Sequence, residues 1–249
     1  MATETWLGFE KFEARVKTTT LAKHKNEINL VEKLLNQYLT GFSKLGAFTL
    51  SENNELEYAW LLLATRSFNS LRCGSDLLNK GYYSQALMCI RSVFEEYYTA
   101  KDCETNPKTL NALVRGDDGF WRQEGRYSEM AKRVEKRIKI TGAWKDIYGQ
   151  LSTFAHARKQ ALLILINPKT KELRLGSHYD NDLFLASYQS FLAAASIIPE
   201  LLYKLLGEDA KQWWDETLPT LQEAKTEIER IGKEFKDNNK EAVPSAQDK

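Results

Sequence analysis

The sequence predicts an all-α fold, a helical bundle with one small β-hairpin insertion. Three observations lead to this prediction. Apolar residues recur at the spacing of a helix along most of the 249-residue chain. Only five prolines and thirteen glycines interrupt that spacing, which leaves room for long helices. The helical spacing breaks clearly near residues 161–177, where the chain instead has the pattern of a hairpin.

The N-terminal part of the chain contains three predicted helices. The first covers residues 21–45, the second ends at about Asn79, and the third covers residues 82–102. Gly46 and Gly81 follow the first two, and glycine is common just beyond the end of a helix. Because the connection between the second and third helices is short, we expect them to pack antiparallel.

The middle of the chain is less regular. Residues 103–120 contain turn-forming residues and predict a loop around a short helix at about 108–115. A charged helix is predicted over residues 122–140 and another helix over 143–158. Residues 161–177 predict the β-hairpin, because aliphatic runs lie on both sides of a polar turn.

The C-terminal part predicts two further helices and a tail. Residues 180–206 are apolar on nearly all sides, which is typical of a deeply buried helix, and Pro199 either kinks it or starts a new helix. Residues 208–236 form an amphipathic helix, and the polar residues 237–249 predict a disordered tail. Since no repeat or linker divides the chain, we expect a single helical domain over residues 1–236.

The composition indicates a soluble cytoplasmic protein. The formal net charge of +1 argues against a binder that relies on a bulk positive field, although a local basic patch remains compatible with it. Cys73, Cys89 and Cys103 show no metal-binding or disulfide spacing. The N-terminus has no apolar signal region, and residues 183–199 are too polar and too short to span a membrane.

The end of the predicted helix at 143–158 contains the first candidate for chemistry. Ser152 and His156 lie four residues apart and therefore share one helix face. His156 is either a general acid and base acting on a phosphate or a histidine that only packs and bonds Ser152. Ser152 lacks the G-x-S-x-G turn and the recognisable partners that a nucleophilic serine needs.

Two arginines in apolar helices form the second candidate. Arg91 and Glu95 are four residues apart, and this spacing favours an ion pair within one helix. Arg66 has an equally apolar setting. Because an unpaired buried arginine is costly, both are expected to share carboxylates such as Glu95 or Glu96. These arginines are either structural or held ready for a phosphate group.

A basic stretch at residues 122–139 is the third candidate. Such a charged helix face is either simply solvated or a contact surface for a phosphate backbone. Trp121, Tyr127 and Trp144 flank it and are able to stack on bases. The candidate nucleic-acid-binding residues are Arg126, Lys132, Arg133, Lys136 and Arg137.

Metal and cofactor chemistry find no support in the sequence. No histidine follows an acidic residue by three positions, and no H-E-x-x-H motif or cysteine–histidine cluster occurs. Glycine-rich nucleotide loops are also missing. We therefore expect no metal and no cofactor. His24, which lies between Lys23 and Lys25, is predicted to be a solvated surface residue.

Two helical segments contain short motifs: the first has Gly81, Tyr82, Gln85, Ala86, Arg91 and Glu95, and the second has Tyr148, Leu151, Ser152 and His156. These segments resemble the motifs of HEPN-like helical proteins. The resemblance covers residues 56–160, and its motifs are short. It implies a helical bundle that often forms a homodimer. Active members of the family cleave RNA without a metal ion in toxin–antitoxin or phage-defence settings, and the resemblance implies this activity as one possibility for this chain.

One departure from the family pattern shapes the functional expectation. Active HEPN ribonucleases have an arginine shortly before the histidine on the same helix. The corresponding positions before His156 are Gly149, Gln150 and Leu151, and none of them is an arginine. Either Arg91 or Arg66 supplies the guanidinium from another helix, or the protein has no nuclease activity. The second is the simpler inference.

Three functions follow, and the sequence leaves open whether the protein is an enzyme. The leading hypothesis is a HEPN-like protein with a binding or regulatory role in stress or phage defence, with RNA, a partner protein or a second copy as its partner. In it, Arg91, Glu95, Ser152 and His156 form a polar cluster. The alternative is a metal-independent ribonuclease that uses His156. The third hypothesis is a structural bundle that self-associates, with Trp213-Trp214 as either an interface anchor or a core pair.

Overall fold

Helices make up 86% of the residues that the structure describes, and no β-strand occurs among them, so the fold is all-α. The structure is a computed structural model that describes residues 6–45, 54–139, 142–155, 165–166, 171, 173 and 176–241. A single 3₁₀ turn, Gly207–Asp209, precedes the last helix of this part. The helices are α1 (Trp6–Lys23), α2 (Lys25–Lys44), α3 (Glu55–Asn79), α4 (Tyr83–Cys103), α5 (Pro107–Arg115), α6 (Asp118–Arg122), α7 (Tyr127–Ile138), α8 (Ala143–Ala155), α9 (Asn181–Ala195), α10 (Ile198–Leu205) and α11 (Ala210–Glu241).

Helices α3 and α4 form an antiparallel pair at the centre of the bundle, as their short connection predicts. The turn closes where the N–H of Gly81 donates to the carbonyl of Leu78 at 3.1 Å and the N–H of Tyr82 donates to Leu77 at 2.9 Å. Gly81 has a φ of +77°, and a Cβ there would collide with the carbonyl of His178. Glycine is therefore required at this turn for both its backbone conformation and its size.

The core lies between this pair and the helices α2, α9, α10 and α11, which surround it. Its buried residues are the apolar stripes of the predicted helices. Burying one such large side chain fully stabilises the fold by about 1.5–3 kcal/mol. The largest fully buried side chains include those of Trp213, Tyr38, Tyr83, Tyr188, Phe184 and Phe191.

Trp213 is a core residue. Its indole N–H donates to the carbonyl of Gln37 at 2.9 Å, and its side chain is fully buried. Gly41 allows this packing, since a Cβ at that position would lie 2.9 Å from the indole ring. Trp214 is half-buried and packs edge-on against Tyr203, with ring centroids 5.5 Å apart. The core-pair interpretation is therefore correct for Trp213.

The long apolar helix predicted at residues 180–206 is two helices. Helix α9 ends at Ala195 and α10 begins at Ile198, with Pro199 in the first turn of α10, where its missing N–H breaks no helical hydrogen bond. By length and composition alone, residues 181–205 are apolar enough to cross a membrane. In the bundle, 61% of an 18-residue window of this stretch is buried, as in the core helix of a bundle.

The N-terminal helix predicted at 21–45 begins in a different place. Helix α1 ends at Lys23, α2 starts at Lys25, and His24 lies at the junction. The prediction that His24 is solvated is wrong: its ring is buried and stacks on Phe184 with centroids 3.9 Å apart. Its Nε2 lies 3.1 Å from the hydroxyl oxygen of Tyr179, and burial lowers the pKa of His24.

Side-chain caps define the two short helices. The Asn106 side chain accepts a hydrogen bond from the N–H of Lys108 at 3.2 Å, with a proline next to it at the start of α5. The Asp117 carboxylate accepts from the N–H of Phe120 at 3.1 Å and starts α6. These caps satisfy backbone donors that no helical carbonyl reaches.

The predicted β-hairpin at residues 161–177 is not supported by the few of its positions that the structure describes. Ile166 and Leu173 form one antiparallel bridge, and no strand extends from it among the described residues. The remaining positions of the predicted hairpin fall mainly outside the described residues. At the C-terminus, α11 continues to Glu241, beyond the predicted start of the tail, and residues 242–249 lie outside the described part.

Candidate functional site

The register of α3 against α4 places polar side chains opposite each other along one seam. The Ser67 hydroxyl donates to Glu96 Oε2 at 2.6 Å, and the Ser92 hydroxyl donates to Ser70 at 2.9 Å. Arg66 Nε lies 2.8 Å from Glu96 Oε1. The packing of α3 on α4 thus brings Arg66 to the Glu96 carboxylate, next in sequence to Glu95.

The predicted pair of Arg91 and Glu95 forms and extends to a third residue. Arg91 Nε donates to Glu95 Oε1 at 3.0 Å, and the Tyr148 hydroxyl donates to the same oxygen at 2.8 Å. The guanidinium of Arg91 also contacts the Tyr148 hydroxyl, and its Cζ lies 4.5 Å from the centroid of that ring. Arg91 is therefore held between α4 and α8 by a carboxylate and an aromatic ring.

Glu96 is the most unusual carboxyl group of this region. Its side chain is only 4% exposed, whereas Arg66, its cationic partner, is 70% exposed. Burial raises the pKa of the Glu96 carboxyl to about 7, against the opposing effects of the Ser67 hydrogen bond and the Arg66 charge. The neighbouring charge of Glu95 adds to the rise. Glu96 thus titrates near neutral pH, unlike an exposed glutamate.

Helix α7 begins next to these two ion pairs with Tyr127. Burial raises the pKa of the Tyr127 hydroxyl, and the Glu95 carboxylate adds to that rise. The charges of Arg66, Glu96 and Arg91 also act on Tyr127. The charges of both ion pairs therefore act on Tyr127 at the start of α7. We define the polar cluster as the six residues Arg66, Arg91, Glu95, Glu96, Tyr127 and Tyr148.

An open groove of about 410 Å³ adjoins the polar cluster. Two of the cluster's tyrosines, Tyr127 and Tyr148, form part of its wall, Trp121 supplies a third ring, and Arg126 is exposed beside them. The Arg126 Nε donates to the carbonyl of Arg122 at 3.0 Å. We call this feature the aromatic groove; its lining residues are Trp121, Gly125, Arg126, Tyr127, Ser128 and Tyr148.

The predicted helix face with Ser152 and His156 lies only partly within the described residues. Ser152 is buried on α8, one turn after Tyr148. His156 follows the end of α8 and is outside the residues that the structure describes. The structure therefore brings Arg91 and Glu95 together with Tyr148, and it puts Ser152 on the same helix as Tyr148.

The five basic residues predicted to contact nucleic acid divide into two groups. Arg133 and Arg137 bind the C-terminal end of α4, whereas Arg126, Lys132 and Lys136 are exposed. Lys132 also pairs with Glu129 on its own helix at 2.7 Å. The exposed three are thus the members of the set that remain accessible to a ligand.

The interactions of Arg133 and Arg137 are structural. Arg133 donates to both oxygens of the buried Asp102, from Nε at 2.9 Å and from the guanidinium NH2 at 2.7 Å. Thr109 donates to the same carboxylate at 2.6 Å. Arg137 donates to the carbonyl of Lys101 at 2.6 Å and to Glu104 at 3.1 Å. These bonds fix α7 on α4 and so position the aromatic groove.

Sequence reasoning missed several residues of this site. The sequence identifies Trp121 and Tyr127 only as aromatic residues near the basic stretch, and it identifies Tyr148 only through the family motif. No group of three histidine, cysteine, aspartate or glutamate residues able to hold a metal ion occurs in the described part of the chain. The functional groups of the polar cluster and the aromatic groove are aromatic rings, guanidinium groups and carboxylates.

The chain matches no protein-family model, no curated protein and no solved structure. The resemblance to HEPN-like proteins accordingly rests on the residues named above alone.

Proposed function

We propose that this chain is a HEPN-like helical protein with a binding role, and that the aromatic groove binds single-stranded RNA. The observation that carries the proposal is the combination of two aromatic rings, Trp121 and Tyr127, with the exposed Arg126 in one open groove. The Tyr148 ring forms part of the wall, but Trp144 and Arg91 already contact it. Bases stack on aromatic rings, and arginine binds phosphate, so the groove has the two features that single-stranded RNA needs.

The surrounding charges support the same ligand. Lys132 and Lys136 are exposed on α7, the helix that begins beside the groove, and provide further cations for a phosphate backbone. The net charge of only +1 means that the attraction is local to this face. A duplex does not fit this proposal, because its stacked bases are not available to rings in a groove.

A binding role fits better than catalysis because both candidate arginines are already paired. Arg91 is bound by Glu95 and Tyr148, and Arg66 lies against Glu96. An arginine held by a carboxylate is less available to stabilise a phosphorane. As further parts of the proposal, we place the protein in the cytoplasm, in a stress or phage-defence setting, with a second copy as its partner in a homodimer.

Replacing one groove cation tests the proposal. We expect Arg126→Gln to bind a short, unstructured, fluorescently labelled RNA more weakly than the wild type. The loss of one phosphate contact makes the plot of log K against log salt concentration less steep by about 0.7. Fluorescence anisotropy at several salt concentrations measures both quantities.

Arg15→Gln is the matched control, since Arg15 is an exposed arginine on α1. It should leave the affinity and the salt dependence at wild-type values. An equal effect of both variants would mean that RNA senses only the net charge, and it would contradict the proposed groove.

The ribonuclease function is a second candidate, and one observation favours it. Arg91 on α4 reaches α8 through Tyr148, and His156 follows α8 in the sequence. If this arrangement cleaves RNA, the wild type degrades labelled total RNA in EDTA and a folded His156→Ala variant does not. Intact RNA after incubation with the wild type would eliminate this candidate.

A further inference from the structure

A second cavity, distinct from the aromatic groove, lies on another side of Tyr148. It has a volume of about 170 Å³ and lies between α4, α7, α8 and the turn that joins α9 to α10. We call it the apolar cavity. Its lining residues are Phe94, Tyr97, Tyr98, Ile138, Trp144, Ile147, Tyr148 and Ile197.

The three tyrosine hydroxyls at this cavity already donate hydrogen bonds to glutamate carboxylates that do not line it. Tyr97 donates to Glu200 at 2.9 Å, and Tyr98 donates to Glu135 at 3.1 Å. Tyr148 donates to Glu95, as described above. Burial and these carboxylates raise the pKa of all three hydroxyls, so the tyrosines are neutral at physiological pH. The wall therefore offers ring and aliphatic surface and no charged group.

The rings of the wall surround the space in several orientations. Trp144 stacks on Tyr148 at a centroid distance of 3.8 Å, and Tyr98 packs edge-on against Trp144 at 4.9 Å. Tyr97 is in turn edge-on to Tyr98 at 5.8 Å. Stacked and edge-on contacts are the arrangements that aromatic rings prefer, and a planar guest would extend the same pattern.

The size of the cavity limits its occupant. An apolar cavity of about 150 Å³ accommodates a molecule such as benzene, and charged molecules are excluded because nothing replaces their hydration. We propose that the apolar cavity binds a small neutral aromatic molecule of one or two fused rings. The ligand restores the dispersion contacts that the lining side chains lack when the space is empty.

Titration with indole tests this proposal directly on the wild-type protein. Isoleucine δ1-methyl groups labelled with ¹³C report on the site, because the ring current of a bound aromatic shifts nearby methyl resonances. We expect saturable shifts of Ile138, Ile147 and Ile197, while Ile28 and Ile231, which lie outside the lining, stay unchanged. Absence of saturable shifts, or equal shifts at all isoleucines, would overturn the proposal.

A cavity-filling variant gives an independent result by calorimetry. Ile147 is 38% exposed, so Ile147→Trp has room to place its ring without unfolding α8, and it should weaken indole binding at least about tenfold. Leu62→Trp, at a 44% exposed position of α3 outside the lining, should bind like the wild type. Unchanged affinity of Ile147→Trp would contradict the proposed site.

A charged probe tests the chemical class of the ligand. Indole-3-carboxylate carries an anionic group on the same ring system and should bind far more weakly than indole at pH 8. Equal binding of the two would contradict a neutral-ligand site. None of these measurements uses RNA, so their failure is distinguishable from failure of the proposed RNA-binding function.

Discussion

We expect Glu96→Gln to raise the free energy of unfolding at pH 8 by up to about 3 kcal/mol. Glu96 is buried and its pKa is raised from 4.5 to about 7, so at pH 8 the fold holds a buried carboxylate. Glutamine has nearly the same shape, carries no charge and still accepts the hydrogen bond from Ser67. Arg66 is 70% exposed and returns to water at little cost when its partner becomes neutral.

The pH dependence follows from the direction of the pKa shift. Between about pH 4.5 and pH 7, folded Glu96 binds a proton more readily than it does in the unfolded chain. The stability from this group is therefore fully present below pH 4.5 and is lost as the pH rises through 7. The advantage of Glu96→Gln over the wild type should accordingly be about 2 to 3 kcal/mol larger at pH 8 than at pH 5.

Urea denaturation followed by circular dichroism at both pH values measures this difference. Glu32→Gln, the same chemical change at an exposed position of α2, is the control and should alter stability by less than about 0.5 kcal/mol. An advantage of Glu96→Gln that is the same at both pH values would show that Glu96 does not titrate near neutrality in the fold.

The helices of the centre could be predicted from the sequence because their ends carry strong local signals. Helices α3 and α4 have long apolar stripes, and Gly81 stands between them where a positive φ is needed. Local pattern and tertiary packing agree here, so the sequence alone was sufficient. Helix α1 cannot be predicted in this way, because only two of its residues, Val16 and Thr20, are buried and its sequence has no apolar stripe.

His24 shows why neighbouring residues do not predict the burial of a side chain that packs against a distant part of the chain. Two lysines flank it in the sequence, yet the break between α1 and α2 turns its ring onto Phe184, which is far away in the chain. The stacking partner belongs to another helix, and no neighbouring residue indicates it.

In the candidate site, contacts within one helix could be predicted from the sequence, and contacts between helices could not. The Arg91–Glu95 pair depends only on helical spacing and is confirmed by the structure. Tyr148 reaches this pair from another helix, and that meeting depends on how α8 packs on α4. The ion pair between Arg133 and Asp102 could not be predicted either, because the sequence gives the number of charged residues but not which of them form pairs.

Removing the ring of Trp121 should have the largest effect on RNA binding. Trp121 lines the aromatic groove, and a base stacked on an aromatic ring contributes about 1–3 kcal/mol, which corresponds to roughly 5- to 150-fold in affinity. Trp6→Ala is a matched control, since Trp6 is an exposed tryptophan on α1 that does not line the groove. Circular dichroism establishes that both variants are folded.

The most direct test of the central claim is the affinity of wild type, Trp121→Ala and Trp6→Ala for a short unstructured labelled RNA, measured by fluorescence anisotropy at one fixed salt concentration. The aromatic groove predicts tight binding by the wild type and by Trp6→Ala, with a loss of at least about fivefold for Trp121→Ala. Equal affinities of all three proteins, or no binding by the wild type, would contradict an RNA-binding groove at this site.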